Sequence, residues 1–166
     1  MAAPDLLLYD EQFQKIRGIL QQLRQDSSSN VVFLVDKNGQ QIAAAGDLST
    51  LDTTSLASLT AGNVAATDGL ARLIGEREFS ILFHEGEKDN LHISIVGERV
   101  ILVVIFDERS SLGLVRLRVR RATSELEAVF TEIAARSEGA AGLLGADAES
   151  PFSEITDDDI DRLFSE

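Results

Sequence analysis

The stretch TTSLASLTAGNVAAT, residues 53–67, is the most informative part of this 166-residue chain for its fold. It has no charged side chain across about four helical turns, whereas a surface helix of an acidic protein normally carries a charged stripe opposite its apolar one. Asp52 can cap its start and Gly75 can close its end, so a helix is predicted over residues 53–74. Because residues 53–67 of this helix carry no charge on any side, we expect more than one side to pack against another surface.

This predicted helix has a side of large apolar residues and a side of small ones. At 100° per residue, the large residues share a face that we expect to lie on a sheet: Leu56, Leu59, Leu70, Leu73 and Ile74. The small residues follow at four-residue intervals on the roughly opposite side: Ala57, Ala61, Ala65 and Gly69. Gly62 and Gly69 each weaken helix propensity by about 1 kcal/mol relative to alanine, which favours a position where another backbone comes close. The small side therefore predicts a surface for another subunit or a partner protein; the alternatives are burial on both sides within one domain and an incidentally alanine-rich helix.

Strands are predicted on both sides of this helix along the chain. They are Val31–Val35, Gln41–Ala45, Phe79–Phe83, Leu91–Ile95 and Arg99–Phe106. Asn38-Gly39 lies between the first two and is a strong hairpin signal, because both residues tolerate positive φ.

Two further helices are predicted, at residues 6–25 and from Ser110 to about Arg136. Val115–Arg120 also alternates with a period of two, as a strand would, but the continuation to Ile133 favours the helix. The order helix, two strands, helix, three strands, helix predicts an α+β sandwich. Its sheet would be five-stranded and antiparallel, with helices on both faces.

Charge and composition exclude several classes of function. The net charge of −13 argues against general binding to nucleic acid or anionic membranes. The longest apolar run, Val100–Phe106, is far shorter than the roughly 20 residues of a membrane-spanning helix. The chain has no cysteine, which excludes disulfides and thiolate chemistry. Since the first residues also lack the basic region of a secretory signal, we expect a cytoplasmic protein.

No pattern in the sequence predicts an active site, a metal site or a cofactor. The Gly-Lys-Ser/Thr phosphate loop is missing, so we expect no nucleotide hydrolysis by the chain itself. The two histidines, His84 and His92, flank a predicted hairpin, but a metal would need a third ligand. Asp107 and Glu108 are adjacent carboxylates without a matched partner, and they are expected to be solvated turn residues.

The C-terminal part differs in character from residues 1–136. Residues 137–151 are rich in glycine and alanine and predict a flexible linker. Residues 152–166 predict an acidic tail in which Thr156 caps a short helix, with Ile160, Leu163 and Phe164 on one face. Such a segment is typical of a tethered helix that binds a groove on a partner. Docking onto the chain's own body near its arginines, or an inert solubilising role, are the alternatives.

Several segments carry a resemblance to a known family. They are VVFLVDKNG (31–39), DTTSLASLTAGNVAA (52–66), LIGE (73–76), FHEG (83–86) and SLGLVRL (111–117). These segments resemble the MglB-like group of the Roadblock/dynein light chain family, and the likeness spans nearly the whole chain. It implies a Roadblock-type sandwich that forms a cytoplasmic homodimer. It also implies binding to the GTP-bound form of the Ras-like GTPase MglA, acceleration of GTP hydrolysis, and a role in cell polarity and gliding motility.

The resemblance also assigns contact residues. The family's second helix contacts the GTPase through small residues that correspond to Ala65 and Gly69, and we extend this predicted contact to Ala61 and Arg72. The family's C-terminal helix contacts the GTPase as well, and its apolar positions correspond to Ile155, Ile160, Leu163 and Phe164.

Phosphoryl transfer needs a positioned water and stabilisation of the developing charge, and some activators supply an arginine in trans. The resemblance implies instead that the chain reorganises the GTPase, so that the GTPase's own arginine and glutamine engage. Arg72, Arg77 and Arg109 are candidate fingers, for which surface ion pairing is the simpler role. The other functional hypotheses are a Roadblock scaffold that leaves hydrolysis unchanged, and a small-molecule sensor. A sensor would need a hollow core, and these strands are filled with Val, Ile, Leu and Phe.

Overall fold

The computed structural model describes residues 4–147 of the chain, and the side chains of residues 10–137. Its elements follow the predicted order: α1 (Pro4–Ser27), β1 (Val31–Asp36), β2 (Gln41–Gly46), α2 (Thr53–Leu73), β3 (Ile81–Glu85), β4 (Asn90–Val96), β5 (Val100–Phe106) and α3 (Leu112–Asp147). Among the described residues, no helix is both long and apolar enough to cross a membrane.

The five strands form one antiparallel sheet in the order β2-β1-β5-β4-β3. The central strands β1 and β5 are buried almost throughout, as their unbroken apolar sequences predict. In the register of the sheet, Phe33 lies opposite Val103, which in turn lies opposite Ile93. The strands β2 and β3 are at the two edges, and within the described residues β3 pairs only with β4.

The predicted hairpin between β1 and β2 is confirmed. Oδ1 of Asp36 accepts hydrogen bonds of 2.9 Å from the backbone N–H groups of Asn38 and Gln40, and Gly39 has a φ of +88°. A Cβ at Gly39 would lie 3.2 Å from Cα of Ser58. Glycine at this position therefore serves both the left-handed turn and the close approach of the hairpin to α2.

The predicted helix over residues 53–74 is also confirmed, with the caps that the sequence indicates. Oδ1 of Asp52 accepts from the backbone N–H of Ser55 at 3.1 Å, and Gly75 follows the helix with a φ of +81°.

The prediction of which face of α2 lies on the sheet is wrong. Ala57 is only 1% exposed and packs against the sheet with Ala61 and Val64. Of the large residues expected there, Leu56 is half-buried and packs against the core cluster. The other four face outward, with Leu73 84% exposed: Leu59, Leu70, Leu73 and Ile74. The sheet already carries bulky side chains such as Phe33 on this face, so small helix residues fill the remaining space at normal packing density.

The helical prediction for Val115–Arg120 is confirmed, because Val115 and Val119 are buried one turn apart within α3. The structure continues this helix beyond Arg136 to Asp147, so residues 137–147 of the expected linker are helical. The alanines and leucines of this stretch have high helix propensity, which offsets its glycines. The tail positions Ile155, Ile160, Leu163 and Phe164 lie outside the described residues, as does the rest of 148–166.

Asp107 connects the end of β5 to the start of β1 rather than being only a solvated turn residue. Its Oδ2 lies 3.0 Å from Nη2 of Arg109 and 3.1 Å from Nδ2 of Asn30. Hydrogen bonding to Arg109, with a smaller contribution from Asn30, lowers the pKa of Asp107 to about 2.

This cluster predicts a specific acid sensitivity. The pKa of Asp107 is lower in the folded chain than the roughly 3.9 of an unfolded Asp, so its stabilising effect is complete above about pH 4. The effect is then lost as the pH falls towards about 2. We expect Asp107→Asn to be less stable than the wild type at pH 7 but to lose less stability between pH 4 and 2. Urea unfolding at each pH checks this, with the exposed neighbour Glu108→Gln as the control; equal acid slopes in all three proteins would refute it.

Candidate partner-binding surface on helix α2

The outward surface of α2 is apolar and uncharged over most of its length. Leu59 and Leu70 are exposed on it, three turns apart, and Gly62 and Ala66 lie between them. No charged side chain occurs between Thr53 and Thr67. An exposed apolar surface of this kind is typical of a protein–protein contact.

A hydrogen bond to the edge strand fixes the orientation of α2. Nδ2 of Asn63 lies 3.1 Å from Nε2 of His84 on β3. The spacing from Asn63 is four residues back to Leu59, seven forward to Leu70 and eleven forward to Ile74, each close to a whole number of helical turns. These three residues therefore lie on the same side of the helix as Asn63. We call these three exposed residues the apolar flank, which is turned towards the β3 edge of the sheet.

A second group of exposed residues lies on the other side of α2. Ala65 comes two residues after Asn63, about 200° around the helix, and Gly69 and Arg72 follow it at four and seven residues. We call Ala65, Gly69 and Arg72 the small flank. Arg72 lines a surface depression of about 510 Å³ that also includes Lys37, from the turn between β1 and β2.

Three of the four predicted contact residues on α2 are therefore accessible. Ala65, Gly69 and Arg72 are exposed, whereas Ala61 is 9% exposed and belongs to the core cluster beneath the helix. The four-residue spacing grouped Ala61 with Ala65. Residues four apart differ by about 40° around the helix, and this rotation is enough to place Ala61 on the buried side and Ala65 on the exposed side.

The fold of a single chain does not require glycine at position 69. A Cβ built on Gly69 would meet nothing within 4 Å, and the same is true of Gly62. Because glycine lowers helix stability by about 1 kcal/mol relative to alanine, two such residues on one exposed surface favour close approach by a second molecule.

The edge strand β3 adds backbone to this surface. Its outer side has no strand partner within the described residues. An exposed edge strand offers free N–H and C=O groups to a strand of another chain. Sequence reasoning missed the apolar flank and this edge as one surface, although the uncharged stretch of α2 was its signal.

The arginines proposed as fingers are in ordinary surface surroundings. Nη2 of Arg109 forms an ion pair of 3.0 Å with Asp107. Arg72 and Arg77 share the depression beside the small flank with Asp68, Glu78 and Glu98. Such mixed charge is typical of the polar rim of an interface.

The two histidines do not form a metal site. In the pairing of β3 with β4, His84 lies opposite Leu91 and His92 lies opposite Phe83, so the two rings are on opposite faces of the sheet. Over the described part of the chain, no group of three or more potential ligands could hold a metal ion.

Comparisons with known proteins agree with this architecture. The family model for the Roadblock/LC7 domain matches residues 16–106. MglB from Myxococcus xanthus has 61% sequence identity over 72% of this chain and 98% of its own, with a TM-score of 0.71. The structure described as gliding protein MglB from Thermus thermophilus has 32% identity over 73% of this chain and 92% of its own, with a TM-score of 0.69. A structure described as MglB with a tetrameric arrangement has 31% identity over 73% of this chain and 91% of its own, also with a TM-score of 0.69. A comparison with curated protein sequences finds no significant match.

The family model covers more than half of the chain, from α1 to the end of β5. The match to the Myxococcus protein covers 72% of the chain at 61% identity. This chain belongs to the Roadblock/LC7 family, and within it to the MglB-like proteins.

Proposed function

We propose that this chain is a homodimeric GTPase-activating protein for a Ras-like GTPase of the MglA type, acting in the cytoplasm in the control of cell polarity and gliding motility. The observation that carries the proposal is the exposed, uncharged surface of α2, with two glycines that the chain's own packing does not explain. The identity of the partner is carried over from the MglB-like proteins, one of which is described as a gliding protein.

We propose that the two flanks of α2 bind different partners, one a second copy of the chain and the other the GTPase. The apolar flank adjoins β3, an edge strand, and a symmetric dimer would bury both from each copy. The small flank would then remain available for the GTPase, with Ala65 and Gly69 allowing its backbone to come close and Arg72 at the rim. Ala61 is a core residue in this proposal. The structure described as a tetrameric arrangement of a related protein is in keeping with self-association.

The proposed mechanism needs no catalytic group from this chain. Hydrolysis of GTP requires that a water and the developing negative charge be positioned and stabilised. Binding of the small flank would select the GTPase conformation whose own side chains meet that requirement, which is a shift of population by differential affinity. We propose that no arginine acts in trans, since Arg109 is already bonded to Asp107 and Arg72 has acidic neighbours.

Single-turnover GTP hydrolysis by an MglA-type GTPase, with and without the full chain, tests the proposal. We expect acceleration that saturates with this protein. Binding without acceleration would replace the activator by a scaffold, and the absence of binding would refute the partner.

The acidic tail gives a separate prediction in the same assay. We propose that Ile155, Ile160, Leu163 and Phe164 form the anchors of a helix that binds the GTPase. A chain that ends at residue 147 is expected to bind the GTPase about tenfold more weakly, or to change its nucleotide exchange, since losing one or two buried anchors costs on this order. Its dimerisation, measured by sedimentation, should be unchanged. Monomers after truncation would contradict this role for the tail.

A further inference from the structure

A cavity of about 520 Å³ lies between α3 and the β3–β4 part of the sheet, on the face opposite α2. It is lined by Ser80, Ile81, His92, Ser94, Ile95, Arg116, Val119, Arg120, Thr123, Ser124 and Glu127. This volume is within the range of sites for small organic ligands, which are mostly apolar with a few convergent polar groups. The expectation that the strands are filled with apolar side chains holds for β1 and β5. It is wrong for β4, whose buried His92 and Ser94 line this cavity.

The floor of the cavity holds buried polar groups without hydrogen-bond partners. His92 is 0% exposed and Ser94 is also buried. Neither ring nitrogen of His92 nor the hydroxyl of Ser94 has a partner within the described chain. Burial, and then the charge of Arg116, lower the pKa of His92 and favour the neutral imidazole, which has one donor and one acceptor. Buried polar groups normally have hydrogen-bond partners. Two such residues side by side without partners therefore favour a site in which a ligand supplies the missing hydrogen bonds.

The rim of the cavity is basic. Arg116 and Arg120 lie one helical turn apart on α3, both exposed, and the structure gives neither guanidinium an ion pair among the described residues. By contrast, Nε of Arg121 on the same helix lies 3.3 Å from Oε1 of Glu125. The acidic residue in the lining, Glu127, accepts a hydrogen bond from the backbone N–H of Gly97 at 3.4 Å. Arginines without acidic partners are suited to carboxylate and phosphate groups, which they bind through two parallel N–H donors.

We propose that this cavity binds a small organic anion, with its carboxylate or phosphate group held by Arg116 and Arg120 and a hydrogen-bonding group directed to His92 and Ser94. Thr123 supplies a hydroxyl beside the two arginines, whereas Oγ of Ser124 donates to the backbone carbonyl of Arg120 at 3.3 Å. The site lies on the opposite face of the sheet from α2, although Ile81 of the edge strand β3 lines it, so it does not depend on the proposed contact with a GTPase.

The two histidines allow a direct test in the full chain. Long-range ¹H–¹⁵N spectra of the imidazoles give one internal control, because His84 lies on the opposite face of the sheet. Titration with inorganic phosphate and with succinate, at constant pH and ionic strength, should shift the His92 signals saturably with at least one of the anions and leave those of His84 unchanged. Comparison of the two titrations identifies which oxyanion the arginines prefer.

Paired variants locate the anion. Arg116→Ala with Arg120→Ala should weaken binding by about tenfold or more, because two charge-assisted contacts are lost. Arg121→Ala removes an arginine of the same helix that does not line the cavity, and it should bind normally. The variants change exposed side chains, so their circular dichroism should match that of the wild type.

Three results would overturn the proposal. The first is the absence of a saturable His92 shift with either anion, and another is a weakening of binding by Arg121→Ala equal to that of the double variant. The third is a His92 shift caused by truncation at residue 147 in a chain that responds to neither anion, since the cavity would then belong to the chain's own acidic tail.

Discussion

Replacement of Gly69 by arginine is expected to abolish the acceleration of GTP hydrolysis while leaving the fold intact. Gly69 is exposed in the last two turns of α2, and a Cβ there would meet nothing within 4 Å. Within the proposed interface, the same side chain would occupy the space of the GTPase backbone and bury a charge without a partner. Changes of this kind cost roughly 2–5 kcal/mol, which corresponds to a loss of affinity of about thirtyfold or more.

Measuring the stability of Gly69→Arg shows whether a loss of acceleration comes from a lost contact with the GTPase or from unfolding. Arginine has a helix propensity up to about 1 kcal/mol better than glycine, so Gly69→Arg should raise the unfolding midpoint slightly. Gly18→Arg is the matched control, because Gly18 is an exposed residue in the middle of α1 whose added Cβ would also meet nothing within 4 Å. Full acceleration by Gly69→Arg, or equal loss in both variants, would mean that the small flank is not the GTPase contact.

Replacement of Leu70 by aspartate should convert the proposed dimer to monomers. Leu70 is 59% exposed in the single chain and lies on the apolar flank. Burial of a leucine contributes about 1.5–3 kcal/mol, and a two-fold interface contains each residue twice. One substitution therefore removes about 3–6 kcal/mol per dimer and adds two carboxylates, which corresponds to a dissociation constant that is roughly a hundredfold to ten-thousandfold higher.

Sedimentation equilibrium over a range of concentrations measures this change. Leu117→Asp is the matched control, since Leu117 is 61% exposed on α3. Both variants should keep the wild-type unfolding free energy of the monomer within about 0.5 kcal/mol, as surface substitutions do. If Leu70→Asp remains dimeric while Leu117→Asp dissociates, the dimer forms through α3 and the two flanks must be reassigned.

Local signals in the sequence were sufficient for the elements of this fold. Asn38-Gly39 predicted the first hairpin because its turn depends on residues that tolerate positive φ, and Gly39 has a φ of +88°. Asp52 and Gly75 predicted both ends of α2 because helix ends need partners for their free backbone groups. Each of these features depends on a few neighbouring residues, which the sequence contains in full.

The candidate surface was only partly predictable. Periodicity separated the large residues of α2 from the small ones, but it assigned Leu59, Leu70 and Leu73 to the sheet, where the structure has Ala57 and Ala61. Neither side of the helix carries a charge over residues 53–67, so hydropathy alone did not indicate which side faces the chain's own core. The small side faces the core because the side chains of β1 and β5 already fill most of the volume beneath the helix.

Local sequence was enough to predict the family, the order of helices and strands, and a second helix with a long uncharged stretch suited to a partner. Which residues of that helix are accessible depends on packing in three dimensions, which leaves Gly69 exposed and places Ala61 in the core. The tertiary structure also brought His92 and Ser94 beneath the arginines of α3, residues that are more than 20 positions apart along the chain. Such contacts arise from strand register and from helix-on-sheet packing, which are properties of the assembled chain rather than of any local stretch.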